Sequence, residues 1–275
     1  MRAAIKVLGP LEAHIGGVSF APTARKPRQL LALLGISAGR VVTIDAMMEE
    51  LWGSRPPRSA QTTLQTYIMQ LRRKLDQALA TESRSSKDVL VTKRTGYLLD
   101  IPPEQIDVHE YDRLALAGGR ALDTGDDANA SRLLSAALDL WRGPALVDVP
   151  VGTQLEIEKV RLEESRLGVL EMRIDADLRL GRHHQLLGEL ARLSAQHPLH
   201  ENFHAQYMIT LYRSGRQWRA LEVYQRLRAT VVNDLGVEPS PQVQRLQHAI
   251  LSGDLLLVDQ PARSRTGTVP AAVAT

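Results

Sequence analysis

Arg58–Leu75 reads RSAQTTLQTYIMQLRRKL, and Val89–Ile101, shortly after it, reads VLVTKRTGYLLDI. At helical spacing, Leu64, Ile68, Leu71 and Leu75 fall within about 60° of one another, with Ala60 and Tyr67 at the margin. A stripe of that kind is buried, which turns the opposite face outward. That face carries Ser59, Thr62, Thr66, Met69 and Arg73, flanked by Arg58, Thr63, Gln65 and Gln70. No carboxylate interrupts it before Asp76, and Arg72, Arg73 and Lys74 close the helix. In the second stretch Val89 and Val91 alternate inward, Arg94-Thr95-Gly96 makes a turn and Tyr97-Leu98-Leu99 returns. The result is a hairpin with Lys93 and Arg94 at its tip.

Hydroxyls, amides and guanidinium groups on one helix face are suited to base edges in a major groove, and Met69 to a thymine methyl. Arg72, Arg73 and Lys74 are placed to hold phosphates. Lys93 and Arg94 project where a narrow minor groove attracts cations. Taken alone, the helix reads equally well as a solvated surface helix whose terminal cations suit its dipole. The basic hairpin beside it favours the other reading, because a groove-sized helix next to such a hairpin is the winged-helix layout.

The chain has 275 residues, a length that favours two domains of ordinary size. Hydrophobic residues make up 44% and charged residues 24%, a soluble globular balance. Aromatics are 4%, too few for stacking platforms along single-stranded nucleic acid to dominate. There is no cysteine, which excludes disulfides, thiolate metal sites and a cysteine nucleophile and fits a reducing cytoplasm. The N-terminal MRAAIKVLGPLEAHIGG lacks the apolar core of a signal peptide, and Leu30–Ile36 is far too short to span a bilayer. The net charge of +3 is uneven: residues 1–105 carry +6 and residues 106–275 carry −3. A basic front half joined to a mildly acidic back half points weakly to a polyanion-binding domain with a partner domain of another kind.

Working outward, the first twenty residues read as short strands with turns at Gly9-Pro10 and Gly16-Gly17. Thr23 is placed to cap a helix over 25–37, with Leu30, Leu31, Leu33 and Leu34 buried, and Thr43 to cap another ending at Leu51. Trp52-Gly53-Ser54-Arg55-Pro56-Pro57 is a loop, since two prolines and a glycine forbid helix. Pro102-Pro103 closes a winged-helix domain at 1–103. A helical domain follows at 107–253, with helices expected over 108–117, 127–141, 154–180, 183–196, 201–214, 217–235 and 241–252. LRLGRHHQLLGEL from Leu178 aligns with YRSGRQWRALEVY from Tyr212 at an offset of 34 residues, matching Gly181 to Gly215 and Arg182 to Arg216. That is the period of tetratricopeptide helix pairs, each of which leaves a face for the next to cover. The tail 259–275 has the composition of a disordered segment. The fold class is thus mainly α with a small β component: a winged helix-turn-helix domain, then an all-α tetratricopeptide-like domain.

Two enzyme patterns need weighing. His200-Glu201-Asn202-Phe203-His204 is a literal HExxH, the zinc-peptidase pattern. It falls in the first helix of the second repeat, where Phe203 and Tyr207 pack inward, and no third ligand follows, so a solvated helix face is the better reading. No phosphate-binding GxxxxGK[ST] loop and no GxSxG turn occurs. We expect no enzyme activity, no cofactor and no metal.

At this point the residues carry a resemblance. The helix ending LRRKL and the hairpin's TGYLL resemble the OmpR/PhoB-type winged helix. ALDLWRGPAL from Ala137, HPLHENFHAQYMITLYRSGRQWRALEVYQRLR from His197 and NDLGVEPSP from Asn233 resemble the bacterial transcriptional activation domain. By this motif order, over residues 5–253, the chain is identified as a member of the SARP (antibiotic regulatory protein) activators. The resemblance implies a cytoplasmic, sequence-specific activator of antibiotic or other secondary-metabolite genes. It implies binding to direct repeats of double-stranded promoter DNA near the −35 element, with a second copy on the DNA, and recruitment of RNA polymerase holoenzyme. It gives reading roles to Thr62, Thr63, Thr66, Gln70 and Arg73, and assigns the loop Trp52, Gly53, Ser54, Arg55 and Pro56 to sigma factor. One departure stands out: the family's wing has Arg-Pro-Pro before Gly-Tyr, and here it is Lys93-Arg94-Thr95, so either cation can enter the groove. The second reading is a tetratricopeptide adaptor whose winged helix binds protein, and the third is the zinc peptidase.

Overall fold

The computed structural model describes residues 3–80 and 82–254, so the tail expected at 259–275 lies outside the described residues. The chain forms two compact units, one through Arg173 and one from Ile174 onward.

The first unit opens with β1 (Ala3–Lys6), β2 (Glu12–Ile15) and β3 (Val18–Ser19), an antiparallel sheet in that order. Helix α1 (Arg25–Ile36) follows, with Leu30, Leu31, Leu33 and Leu34 buried as the pattern predicts. Its N-cap is Ala24 without a side-chain bond, so Thr23 does not cap it. Next come β4 (Val41–Thr43) and α2 (Ile44–Trp52), where Thr43 accepts from the Ala46 amide as expected of a cap. Helix α3 (Ala60–Ala78) buries Ala60, Leu64, Ile68, Leu71, Leu75 and Ala78. Val89 belongs to a one-turn helix, α4 (Ser86–Val89), and not to a strand. Strands β5 (Leu90–Lys93) and β6 (Gly96–Leu99) form the hairpin, and β4 joins it in the order β4-β6-β5.

Three helices complete this unit: α5 (Asp107–Asp123), α6 (Asp127–Leu138) and the greater part of α7 (Thr153–Arg179). Helix α5 runs past its expected end at Ala117 because Gly118 fits against Leu134 of α6, where a Cβ would lie 2.6 Å from Leu134 Cγ. These helices and the first hundred residues are stitched together by buried carboxylates. Asp107 accepts from the amides of Val7 (2.8 and 2.9 Å) and Leu8 (2.9 Å), with Arg142 3.8 Å away. Burial pushes its pKa up, and those amides oppose the shift. Glu50 of α2, only 2% exposed, takes the Gly152 amide at 2.6 Å, Gln154 at 2.9 Å, Leu155 at 3.1 Å and the Gln29 side-chain amide at 2.9 Å. The first amides of a helix have no partner within it and carry partial positive charge. A carboxylate more than a hundred positions earlier therefore caps a 27-residue helix.

The second unit packs α8 (His183–Gln196), α9 (Glu201–Arg213), α10 (Gln217–Leu235) and α11 (Pro241–Ser252). Met208, Leu211, Ala220, Tyr224, Leu227 and Ile250 are in its core. Gly181 and Gly215, matched at the 34-residue offset, have φ of 75° and 73°, a left-handed conformation that suits glycine in the turn of each helix pair. His204 is buried in this unit, and burial holds its pKa below the usual imidazole value against the carbonyls of His197 and Pro198.

Two predictions follow from these buried groups. Glu50→Ala strands several buried amides at once, and each such loss costs roughly 1–3 kcal/mol. Urea unfolding of the variant is expected to show a drop of about 3 kcal/mol or more; a change below 1 kcal/mol contradicts the capping role. For His204, the unfolded chain binds a proton below about pH 6.5 that the folded unit resists. Stability present at neutral pH is therefore lost as pH falls through 6.5, by at most about 1.4 kcal/mol per pH unit from this residue. Thermal melts of His204→Phe between pH 7 and 5 should show a shallower decline than wild type, and equal slopes refute it.

Candidate nucleic-acid interface

Burial of the Leu64–Ile68–Leu71–Leu75 stripe leaves Thr62, Gln65, Thr66, Met69, Gln70 and Arg73 exposed on α3, with Arg58 exposed just before it. Met69 is 66% exposed, a large apolar group standing among polar ones. Thr66 donates its hydroxyl to the Thr62 carbonyl at 3.0 Å and keeps its oxygen lone pairs outward. Thr63 and Lys74 are half-buried at the edges of this face.

Arg72, expected at a phosphate, is engaged within the fold. Its Nη2 donates to the Leu90 carbonyl at 2.7 Å and to Thr92 Oγ1 at 2.7 Å, and its Nε to the same carbonyl at 3.3 Å. The guanidinium also lies 5.9 Å from the centre of the Tyr97 ring. Arg72 is thus a brace between α3 and the hairpin. Nothing in the local sequence distinguishes it from Arg73; only the 18- and 20-residue separations closed by the fold do so.

The hairpin tip is a two-residue turn, Arg94-Thr95, and both Lys93 and Arg94 are exposed. The turn is fixed from behind, since Ile44 N–H donates to the Thr95 carbonyl at 3.0 Å. Gly96 is forced by the close pairing of β6 with β4: a Cβ there would lie 1.9 Å from the Val42 carbonyl oxygen. Both cations therefore stand on a rigid support.

In the loop between α2 and α3, Gly53, Ser54, Arg55 and Pro56 are exposed. Trp52 is half-buried and not presented with them. Its ring stacks on Tyr67 with centroids 6.4 Å apart and planes 17° apart. Lys26 Nζ sits 5.1 Å from the Trp52 ring centre and donates to the Leu51 carbonyl. Desolvation, with Arg25 nearby, lowers the Lys26 pKa. This Lys26–Trp52–Tyr67 pile ties the base of the loop to α3, a role that the loop sequence does not reveal.

The HExxH segment is used differently. His200 precedes α9 as its N-cap and stacks on Phe203, with ring centres 4.1 Å apart. Both carboxylate oxygens of Glu201 accept from the Ser240 amide at 3.0 Å, so the group a peptidase needs as its base holds the start of α11. Among the described residues no cluster of three or more His, Asp or Glu is arranged to hold a metal, and no helix is long and apolar enough to cross a membrane.

A helix whose polar face carries no acid before Asp76, braced to a basic hairpin and followed by paired helices, defines a winged-helix transcriptional regulator with a helical effector domain. Residues 21–99 match the family "Transcriptional regulatory protein, C terminal", and residues 106–251 match the "Bacterial transcriptional activator domain". The regulatory protein DnrI of Streptomyces peucetius is 55% identical over 98% of this chain and 97% of its own length. The regulatory protein AfsR of Streptomyces coelicolor is 39% identical over 93% of this chain, which spans 25% of AfsR. A solved structure of Mycobacterium tuberculosis EmbR in complex with a low-affinity phosphopeptide superposes with a TM-score of 0.85 at 33% identity, covering 92% of this chain and 65% of that one. The chain belongs to the SARP family of transcriptional activators.

The brace makes a prediction that needs no DNA. Arg72→Ala should raise amide exchange along Leu90–Lys93 several-fold in the free protein, while Arg73→Ala leaves it unchanged. Equal exchange in both variants contradicts the brace.

Proposed function

We propose that this SARP regulator is a sequence-specific DNA-binding activator, with residues 1–103 as its reader and 107–253 as its activation domain. The observation that carries the reading is the exposed face of α3, free of acids before Asp76, held by Arg72 beside a hairpin with two exposed cations. Thr62, Thr63, Thr66, Gln70 and Arg73 read base edges in the major groove, with Gln65 beside them. Arg58 and Lys74 hold phosphates, and Lys93 or Arg94 enters the minor groove. Arg72 contributes by fixing the angle between helix and hairpin. Two copies on direct repeats near the −35 element present the Gly53–Pro56 loop to sigma factor and recruit RNA polymerase holoenzyme. Membership of the SARP (antibiotic regulatory protein) family supports a target among antibiotic biosynthetic genes, read in the cytoplasm.

Anisotropy titrations of a promoter duplex at increasing salt test the reading. The log–log slope is expected to be several units, because each neutralised phosphate contributes about −0.9. Arg73→Ala should lose about 1–3 kcal/mol on the cognate site and relax specificity there. A flat slope, or no duplex binding, leaves the adaptor reading instead. For the loop, Arg55→Ala should lower transcription in a purified system while leaving DNA affinity unchanged; equal losses in both assays overturn its polymerase role.

A further inference from the structure

Trp218 is the second residue of α10 and is 66% exposed, an unusual cost in solvation for the largest side chain in the unit. Its surroundings are built from three neighbouring helix ends. Arg213 Nη1 donates to the Leu178 carbonyl at 3.1 Å, which places the end of α9 at the end of α7. The Gln217 side-chain amide donates to the Ile250 carbonyl at 2.7 Å, which places the start of α10 at the end of α11. Exposed Leu180 and Leu251, the latter 53% exposed, are therefore carried at the same end of the second unit as Trp218.

Positive charge prevails there, with Asp254 just after α11 at its edge. From Asn202 to Leu221 the chain contains no acid and three arginines. Arg179 and Arg182 nearby are neutralised by Asp175 and Asp177. Arg216 and Arg219 are exposed and, among the described residues, have no carboxylate partner. Arg219 lies over the Trp218 ring, 5.2 Å from its centre. A guanidinium stacked on an indole leaves its in-plane N–H donors directed outward, ready for a bidentate carboxylate.

Tryptophan and arginine are the residues that dominate binding energy at protein interfaces, and here they stand together with leucines at the margin. We infer that this helix-end patch is a docking site for an acidic, leucine-bearing segment of a partner protein. Carboxylates of the segment pair with Arg216 and Arg219, and its apolar side chains cover Trp218 and Leu251. Duplex DNA satisfies the arginines equally well but offers nothing to bury the leucines, so protein is the better fit. The site is built from other elements than α3 and the hairpin, and does not depend on the DNA-reading proposal.

The test uses the full chain and a short synthetic amphipathic peptide with glutamates on one face and leucines on the other. A second peptide has lysine in place of every glutamate, and a plain duplex is the third probe. The acidic peptide is expected to bind and shift tryptophan emission to the blue. Trp218→Ala and the double variant Arg216→Glu/Arg219→Glu should each weaken it about tenfold or more, with unchanged circular dichroism. The lysine peptide should not bind, and duplex affinity should be the same in all three proteins. The inference is overturned if the acidic peptide fails to bind, or binds the variants as tightly as wild type. It is likewise overturned if the substitutions weaken the duplex instead, which makes the patch a nucleic-acid surface.

Discussion

A single buried carboxylate organises the first unit. Glu50 of α2 takes the first amides of α7, which have no partner within that helix and are buried or partly buried. Burying a charge is costly unless it is fully bonded, and four donors answer this one. The same residue thereby fixes the last turn of α2. The next positions are Leu51, whose carbonyl holds Lys26, and Trp52, whose ring lies on Tyr67 of α3. The orientation of α3 and the capping of α7 are thus consequences of one constraint. Asp107 repeats the device on the N-terminal sheet by taking the Val7 and Leu8 amides.

This arrangement explains why the polar face of α3 can be left bare. The helix is held through its apolar stripe, through the Trp52 stack and through Arg72 on the hairpin, rather than through its outward residues. Thr62, Gln65, Gln70 and Arg73 are then available to a partner. The hairpin follows the same rule: Ile44, Val42 and Gly96 fix the turn from inside while Lys93 and Arg94 remain in solvent. The helical repeat separates structural and outward roles likewise, since Tyr224 and Leu227 fill its core and Trp218 does not.

Features of helical or alternating period were legible in the sequence. The Leu64–Leu75 stripe, the four leucines of α1, the Thr43 cap and the paired Gly181 and Gly215 all lie where spacing places them. Elements whose cause is tertiary were not. Val89 closes a helical turn although its carbonyl takes the Asp100 amide just past β6, α5 continues through Gly118 where Leu134 fills the gap, and Ala24 takes the cap position expected of Thr23. On the candidate site, exposure of the reading face was legible, whereas the roles of Arg72 and Trp52 were not. Each side chain acts on a partner many residues away, and no local pattern records such a partner. Glu50 is the extreme case: its neighbours read as an ordinary helix end, and three of its four donors lie more than a hundred positions later.

The measurement that tests the account most directly is a paired footprint on one promoter, with dimethyl sulfate for major-groove guanines and hydroxyl radicals for the backbone. If α3 and the braced hairpin form one reading surface, wild type protects guanines and, beside them, the backbone across the neighbouring minor groove. Arg72→Ala then loses the minor-groove protection and keeps the guanines, while Arg73→Ala loses guanine protection. Absence of protection by wild type, or loss of both protections together in each variant, contradicts the central claim.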